Sequence, residues 1–192
     1  MAADLSNFHT LNIADTCAVW NILSSNLLHQ TAVSAGCIFS CTGFVNYECL
    51  AKPRKIMTAL DVELQNRLRA AQSKGRFTVY HLEIADLIEV EVLESRKNLG
   101  KGELSSIAFA KRTNQAFLTD DQKARKLAID SLGVGLTQTT VHLFGWLFYA
   151  NLLGDADKDT ILDEHSSLNR PLGRYFEDAY EQSRLKQLVD RT

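Results

Sequence analysis

The sequence has few of the residues that mark linkers, repeats or a strongly charged surface. Only two of its 192 residues are proline and ten are glycine, which argues against long linkers and low-complexity segments. The formal net charge of −2 gives no overall attraction to nucleic acid, so RNA or DNA binding would need local basic patches. What is present is ordinary for a globular protein: the length fits one domain, and 45% of the residues are hydrophobic.

Cysteine is also scarce. The four cysteines lie before residue 50 and inside apolar runs: Cys17, Cys37, Cys41 and Cys49. A disulfide framework would be spread over a small, loop-rich secreted chain. The spacing of Cys37 and Cys41 could hold a metal, but no second Cys or His pair follows at a zinc-like distance. We therefore predict reduced thiols in the core and a cytoplasmic protein.

The sequence carries no signal typical of secretion or of a membrane span. Residues 1–6 lack the basic and apolar regions of a signal peptide. The longest apolar stretch, residues 141–153, is too short to cross a bilayer and is interrupted by polar residues and glycine. We predict a buried helix there and no association with a membrane.

Short apolar runs alternate with segments of helical periodicity. The runs that predict strands are residues 11–14, 37–40, 77–80, 116–119 and 134–136. Helical spacing is found in residues 58–73, 84–93, 104–110 and 124–132. This alternation indicates an α/β protein with a mostly parallel sheet that is covered on both faces by helices.

The pattern changes after Leu136. Three further helices are predicted, over residues 139–153, 159–168 and 174–189. We interpret residues 1–192 as a single domain, with a core at about residues 10–153. Residues 154–192 then form a C-terminal helical extension packed on that core.

Acidic residues occur where the predicted strands and helices meet. Asp15 follows the first strand, while Asp120 and Asp121 follow the fourth. Glu48 and Glu103 lie on helices that come after a strand or a glycine turn. The carboxyl ends of parallel strands meet at one edge of the sheet, and ligands of open α/β sheets bind there. Carboxylates gathered at such an edge repel one another unless a divalent cation such as Mg²⁺ or Mn²⁺ binds them.

Most of these acids also have a structural explanation. Asp15 could be the N-cap of the following helix, and Glu103 a first-turn acid favoured by the helix dipole. The segment 119–122 fits a capping box with Thr119 as the N-cap. Glu48 is harder to explain in this way. It shares a helix face with Phe44 and Val45, and its own helix offers no obvious cation to offset burial.

Taken together and in this order, the motifs resemble a PIN-domain ribonuclease. The resemblance covers roughly residues 11–153 and rests on these segments: Ile13-Ala14-Asp15-Thr16, Glu48, Gly102-Glu103 with Ala108 and Ala110, and the run from Leu118 to Arg125. The sequence is similar to the small prokaryotic PIN proteins, which include toxins of type II toxin–antitoxin pairs. It departs from many of them at Cys17, where they have Asn, and at Glu103, where they have Asp.

The resemblance implies a fold, an activity and partners. The fold would be a three-layer α/β/α sandwich with a central five-stranded sheet. The activity would be Mg²⁺- or Mn²⁺-dependent endonucleolytic cleavage of single-stranded or structured RNA, with Asp15, Glu48, Glu103 and either Asp120 or Asp121 as the acidic set. In this set Asp15, Glu103 and the aspartate would bind the metal ion, and Thr119 would support the aspartate. A homodimer, and an antitoxin or other inhibitory protein, are the implied protein partners.

Basic residues near the acidic edge are candidates for contact with the RNA backbone. We predict this role for Lys52, Arg54 and Lys101, although a solvated basic face explains them equally well.

Two other functions remain open from the sequence. One is a catalytically silent PIN-like module that binds RNA or protein. The other is a small phosphatase with Asp15 as its nucleophile. That chemistry usually needs a second aspartate two residues later, where this chain has Cys17.

Overall fold

The structure is a computed structural model that describes residues 4–190. Its centre is one sheet of five parallel strands in the order β3-β2-β1-β4-β5. The strands are β1 (Leu11–Ala14), β2 (Ile38–Thr42), β3 (Phe77–Tyr80), β4 (Ala116–Leu118) and β5 (Thr137–Gln138). Helices cover both faces of this sheet, which confirms the predicted α/β/α class.

The prediction of the fifth strand is wrong. Val134–Leu136 forms a 3-10 turn, and the strand is the next two residues, which pair with β4 through Phe117 and Thr137 and through Leu118 and Gln138. Gly133 at φ +88° ends the preceding helix and reverses the chain. The apolar run that follows therefore belongs to the connection.

Ten helices lie within residues 4–190, and none of them has both the length and the apolar character needed to cross a bilayer. The first seven are α1 (Thr16–Ser24), α2 (Asn26–Ser34), α3 (Gly43–Leu50), α4 (Ala59–Ser73), α5 (Ile84–Arg96), α6 (Lys101–Thr113) and α7 (Gln122–Leu132). The last three are α8 (Thr140–Tyr149), α9 (Asp155–Ser167) and α10 (Gly173–Asp190).

The two faces of the sheet bury different clusters because successive side chains of a strand point to opposite sides. Ile13 and Phe117 pack with α5, α6 and α7, whereas Ala14 and Leu118 pack with the larger cluster on the other face. All four side chains are fully buried. Burial on both faces explains why β4, Ala116–Leu118, is apolar at every position.

The C-terminal helices belong to the larger cluster. Phe176 of α10 stacks on Phe144 of α8, with 4.5 Å between the ring centroids, and it is fully buried. Ile161 of α9 is buried in the same cluster. The extension therefore covers apolar surface of the α/β core.

The order of the strands fixes where a ligand site is expected. From β1 the chain proceeds to β2 and β3 on one side and then returns to place β4 on the other side of β1. The helices that follow β1 and β4 pack on opposite faces of the sheet, and ligands of open α/β sheets bind at such a switch point, outside the carboxyl ends of the strands. Asp15 and Thr119 are the first residues after these strands.

Candidate active site

Asp15 lies at the switch point and is 1% exposed. Its backbone N–H bonds to the carbonyl of Leu118, which continues the pairing of β1 with β4. Its Oδ1 accepts hydrogen bonds from the amide of Ala18 at 2.9 Å and from the thiol of Cys17 at 3.0 Å. Its Oδ2 accepts from the hydroxyl of Thr119. Asp15 is therefore the N-cap of α1 and is also a carboxylate held in one orientation by three donors.

Burial raises the pKa of Asp15 to about 7. The bonds from Thr119, Ala18 and Cys17 oppose this shift, and the nearby charge of Asp120 adds to it. A carboxyl group at this position is costly to ionise in the protein alone, and a bound cation would remove that cost.

Asp120 is the second acid of the site. Its Oδ2 accepts hydrogen bonds from Asn21 at 2.7 Å and from the hydroxyl of Thr140 at 2.6 Å, and its Oδ1 accepts from the backbone amide of Thr140 at 2.9 Å. Burial raises the pKa of its carboxyl, and the hydrogen bonds from Asn21 and Thr140 oppose this shift. Cys17 lies between the two acids, donating to Asp15 and accepting from the amide of Asp120 at 3.3 Å.

Asp121 has a different role from Asp120. It is the N-cap of α7, where its Oδ1 accepts a hydrogen bond from the amide of Ala124 at 2.7 Å, and the residue is exposed. The expected capping box with Thr119 as the N-cap is therefore wrong by two residues. Thr119 is fully buried, and its hydroxyl connects Asp15 to the amide of Asp121.

Glu48 reaches the same edge from α3. Its Oε2 accepts a hydrogen bond from the hydroxyl of Thr16 at 2.6 Å, directly beside Asp15. Its Oε1 lies 4.0 Å from the ammonium of Lys52, a cationic partner that the sequence did not indicate. The carboxylate also rests against the first turn of α6, since a Cβ atom at Gly102 would lie 2.5 Å from Oε2. A helix N-terminus favours a negative charge at this place.

Glu103 stands in the first turn of α6, as its structural explanation predicts. Its carboxylate folds back toward Gly100, where a Cβ atom would lie 2.5 Å from Oε2. Within residues 4–190 this buried Oε2 has no hydrogen-bond partner. An unpaired buried carboxylate oxygen is costly, so this atom is suited to an additional ligand.

The acids do not form a closed metal cage. Within residues 4–190, no three His, Cys, Asp or Glu side chains are grouped closely enough to hold an ion by themselves. Mg²⁺ is usually held by one or two carboxylates and keeps several waters, so an open site of this kind fits it. A carboxylate has about four lone-pair positions, and the hydrogen bonds above leave one on Asp15 Oδ2 and one on Asp120 Oδ1.

The three basic candidates are placed differently. Lys52 is 60% exposed beside Glu48. Lys101 is half exposed at the start of α6, with its ammonium 2.5 Å from Glu94. Arg54 forms an ion pair with Asp61 and lies over the ring of Trp20, so it is already engaged within the fold.

Sequence reasoning missed three polar residues that hold the acids. Asn21 bonds both to Asp120 and to Arg170, whose Nε donates to Asn21 Oδ1 at 2.8 Å. Thr140 supplies two of the three donors to Asp120. Asn21 is a polar residue within the apolar run of α1, and this was the only feature of the sequence that could have indicated a role in the site. Thr140 and Arg170 come from elements far along the chain, and no spacing in the sequence connects them to Asp15.

Comparisons with protein-family models, with curated proteins and with solved structures gave no match.

Proposed function

We propose that this protein is a divalent-metal-dependent endoribonuclease whose active site is the acidic edge at the switch point. The observation that carries this proposal is the position of Asp15 and Asp120 after the two strands that flank the switch point. Cys17 lies between the two residues, since its thiol donates to the Asp15 carboxylate and accepts from the backbone amide of Asp120. Glu48 and Glu103 extend the acidic edge toward α3 and α6.

In the proposed site Asp15 and Asp120 hold the metal ion with their free lone pairs, and the unpaired Glu103 Oε2 is an acceptor available to one of the waters that such an ion keeps. Mg²⁺ and Mn²⁺ prefer such oxygen ligands, and within residues 4–190 no cluster of side chains offers a competing set of imidazole or thiolate ligands. The thiol of Cys17 does not compete for the ion, because burial raises its pKa and keeps it protonated.

A bound divalent ion would supply activation of a water molecule and stabilisation of charge on a phosphate. The protein residues fix the acids before substrate arrives. Thr119, Ala18 and Cys17 orient Asp15, while Asn21 and Thr140 orient Asp120. Glu48 lies beside Asp15 through Thr16, where it can accept a proton from an attacking water.

The test is cleavage of a mixed single-stranded RNA pool by EDTA-treated protein to which Mg²⁺ or Mn²⁺ is returned. Wild type is compared with Asp15→Asn, which keeps the shape of the side chain and a good N-cap. Asp130→Asn is the matched control, since Asp130 is an exposed acid of α7. We expect metal-dependent cutting by the wild type and the control, and none by Asp15→Asn.

Other outcomes identify the competing functions. RNA binding without cutting under either metal would favour the silent binding module. Phosphate release from a small phosphomonoester, lost in Asp15→Asn, would favour the phosphatase.

A homodimer is the protein partnership that the surface supports best. The residues Ile84, Leu87, Ile88 and Val92 form an exposed apolar stripe at helical spacing along α5, each more than 40% exposed. Light scattering at several protein concentrations tests this assembly.

A toxin role with an antitoxin as inhibitor rests on the family resemblance alone. A cytoplasmic location is supported by the four free cysteines, which fit a reducing compartment.

A further inference from the structure

An open groove adjoins the acidic edge on the side of Glu48. It has a volume of about 850 Å³, and the residues that matter are Phe44, Tyr47, His81, Leu87, Lys52 and Lys101. We call it the α3–α5 groove, since α3 forms one wall and Leu87 of α5 the other. A volume of this size is within the range of pockets that hold small organic groups.

The aromatic residues of the groove are not used by the core. Phe44 and Tyr47 are three residues apart on α3 and are 39% and 52% exposed. The same helix buries Val45 and Cys49 on its inner face. Two neighbouring aromatic rings on a helix face that the fold does not cover are available for stacking.

The groove is continuous with the acidic edge. Glu48 lines the groove and is bonded to Thr16 beside Asp15. Gly100 and Lys101, at the start of α6, line its other side, and the carboxylate of Glu103 lies against Gly100. A ligand in the groove therefore contacts Glu48, which lies beside Asp15.

The charges at the rim suit a phosphate backbone. Lys52 and Lys101 both line the groove and expose about half or more of their side chains. Lys52 lies 4.0 Å from Glu48 and Lys101 pairs with Glu94, but exposed ion pairs of this kind are weak, so a phosphate can compete for both ammonium groups. His81 is exposed and lies next to Gly43, with Nδ1 3.7 Å from the position of a Cβ there. Cations beside exposed aromatic rings are the combination by which proteins hold unpaired nucleotides.

We propose that the α3–α5 groove binds an unpaired base of single-stranded RNA by stacking on Tyr47 and Phe44, next to the phosphate that is cut. The proposal rests on the proposed ribonuclease function and adds to it the place where one base of the substrate is held. Lys52 and Lys101 neutralise the flanking phosphates. A duplex cannot present a base to the groove, so the site selects single strands.

The test measures equilibrium binding of a short fluorescein-labelled single-stranded RNA by anisotropy, in EDTA and again in Ca²⁺. Tyr47→Ala is compared with Tyr47→Phe, which keeps the ring. Leu185→Ala is the matched control, since Leu185 is 64% exposed on α10 and is not among the groove residues. We expect Tyr47→Ala to weaken binding roughly tenfold or more, and Tyr47→Phe and the control to bind like wild type.

The result separates this proposal from the ribonuclease function because the binding assay does not depend on cutting. Weaker binding by Tyr47→Ala supports the groove even if no RNA is cut. Unchanged binding by Tyr47→Ala, or no RNA binding by wild type, overturns the groove even if metal-dependent cutting is observed. A changed oligomeric state with unchanged RNA binding would make the groove a protein interface and would also overturn the proposal.

Discussion

Gly102 determines where the carboxylate of Glu48 can lie. A Cβ atom at this position would lie 2.5 Å from Glu48 Oε2 and 3.0 Å from Cδ. The obstructed group is the far end of a flexible side chain, so the backbone of α6 need not move. The carboxylate must move instead, away from Thr16.

Gly102→Ala therefore separates stability from activity. We expect an unchanged or slightly higher melting temperature, because alanine in a helix is favoured over glycine by about 0.5–1 kcal/mol. RNA cleavage should fall roughly 10- to 100-fold, since a misplaced catalytic group is costly. Gly135→Ala is the control, because a Cβ at Gly135 meets nothing within 4 Å. Equal cleavage rates for the two variants would show that the position of Glu48 does not matter.

Substitution of Asp120 and of its neighbour Asp121 should have very different effects on RNA cleavage. Asp120→Asn removes a proposed metal ligand, and we expect its cleavage rate to drop by roughly 100-fold or more, beyond the usual effect of residues that only support a ligand. Asp121→Asn keeps the cap of α7, because asparagine caps helices as well as aspartate. Its activity and melting temperature should match wild type. Isothermal titration of Mn²⁺ into each variant checks, independently of cleavage, that Asp120 and not Asp121 binds the metal ion. Loss of Mn²⁺ binding in Asp121→Asn would contradict this assignment.

The sequence predicts that these acids gather at the carboxyl edge of the sheet, but it does not predict their individual roles. Asp15, Glu48 and Glu103 were found because each follows a strand or a turn. The division of roles between Asp120 and Asp121 depends on Asn21 and Thr140, and side-chain contacts between distant elements leave no periodic signal.

At the scale of elements, four of the five strands were predictable because they are short, apolar and bounded by helical patterns. The fifth strand was predicted at the wrong residues because β5 has only two residues, neither of them apolar. Its Gln138 is buried by partners elsewhere in the chain: the side chain accepts from the amide of His9 and donates to Asn12 Oδ1. An edge strand fixed by such contacts cannot be recognised from alternation or propensity.

Helix α9 carries a buried histidine that makes stability depend on pH. His165 is fully buried against Phe176, and burial, together with the charge of Arg170, lowers its pKa to about 4. In the unfolded chain its pKa is about 6.5, so acid protonates the unfolded state first. The contribution of His165 to the free energy of unfolding is therefore complete above about pH 6.5 and is lost as the pH falls toward 4. At 1.36 kcal/mol per pKa unit, the loss amounts to about 3 kcal/mol at most.

Urea unfolding at several pH values measures this effect. We expect His165→Gln to be less stable than wild type near pH 7, because it loses the ring contact with Phe176, but to lose less stability between pH 6.5 and 4. His29 keeps part of the slope in the variant, since burial lowers its pKa to about 4 as well. Identical slopes for wild type and variant would assign the acid sensitivity to other groups.

At the scale of the whole molecule, the resemblance that suggested the function covers residues 11–153, whereas the hydrophobic core continues into α9 and α10. Phe144 and Phe148 of α8 are fully buried, and Phe176 and Tyr180 of α10 lie against them. Removing residues 154–192 would expose these rings to water. The part of the chain that resembles a family is therefore smaller than the part that must fold together.

We expect a chain that ends at Leu153 to show no cooperative thermal transition and to bind a hydrophobic dye at room temperature. In the full chain, Phe176→Ala should cost about 3–5 kcal/mol, typical of a large cavity in a core and a large share of the total stability of a small domain. Tyr175→Ala, one position away and 59% exposed, should cost little. A cooperative melt of the shortened chain would place the folding boundary before α9. A destabilised Phe176→Ala with a wild-type Tyr175→Ala would show that α10 completes the core, because only its buried face carries the effect.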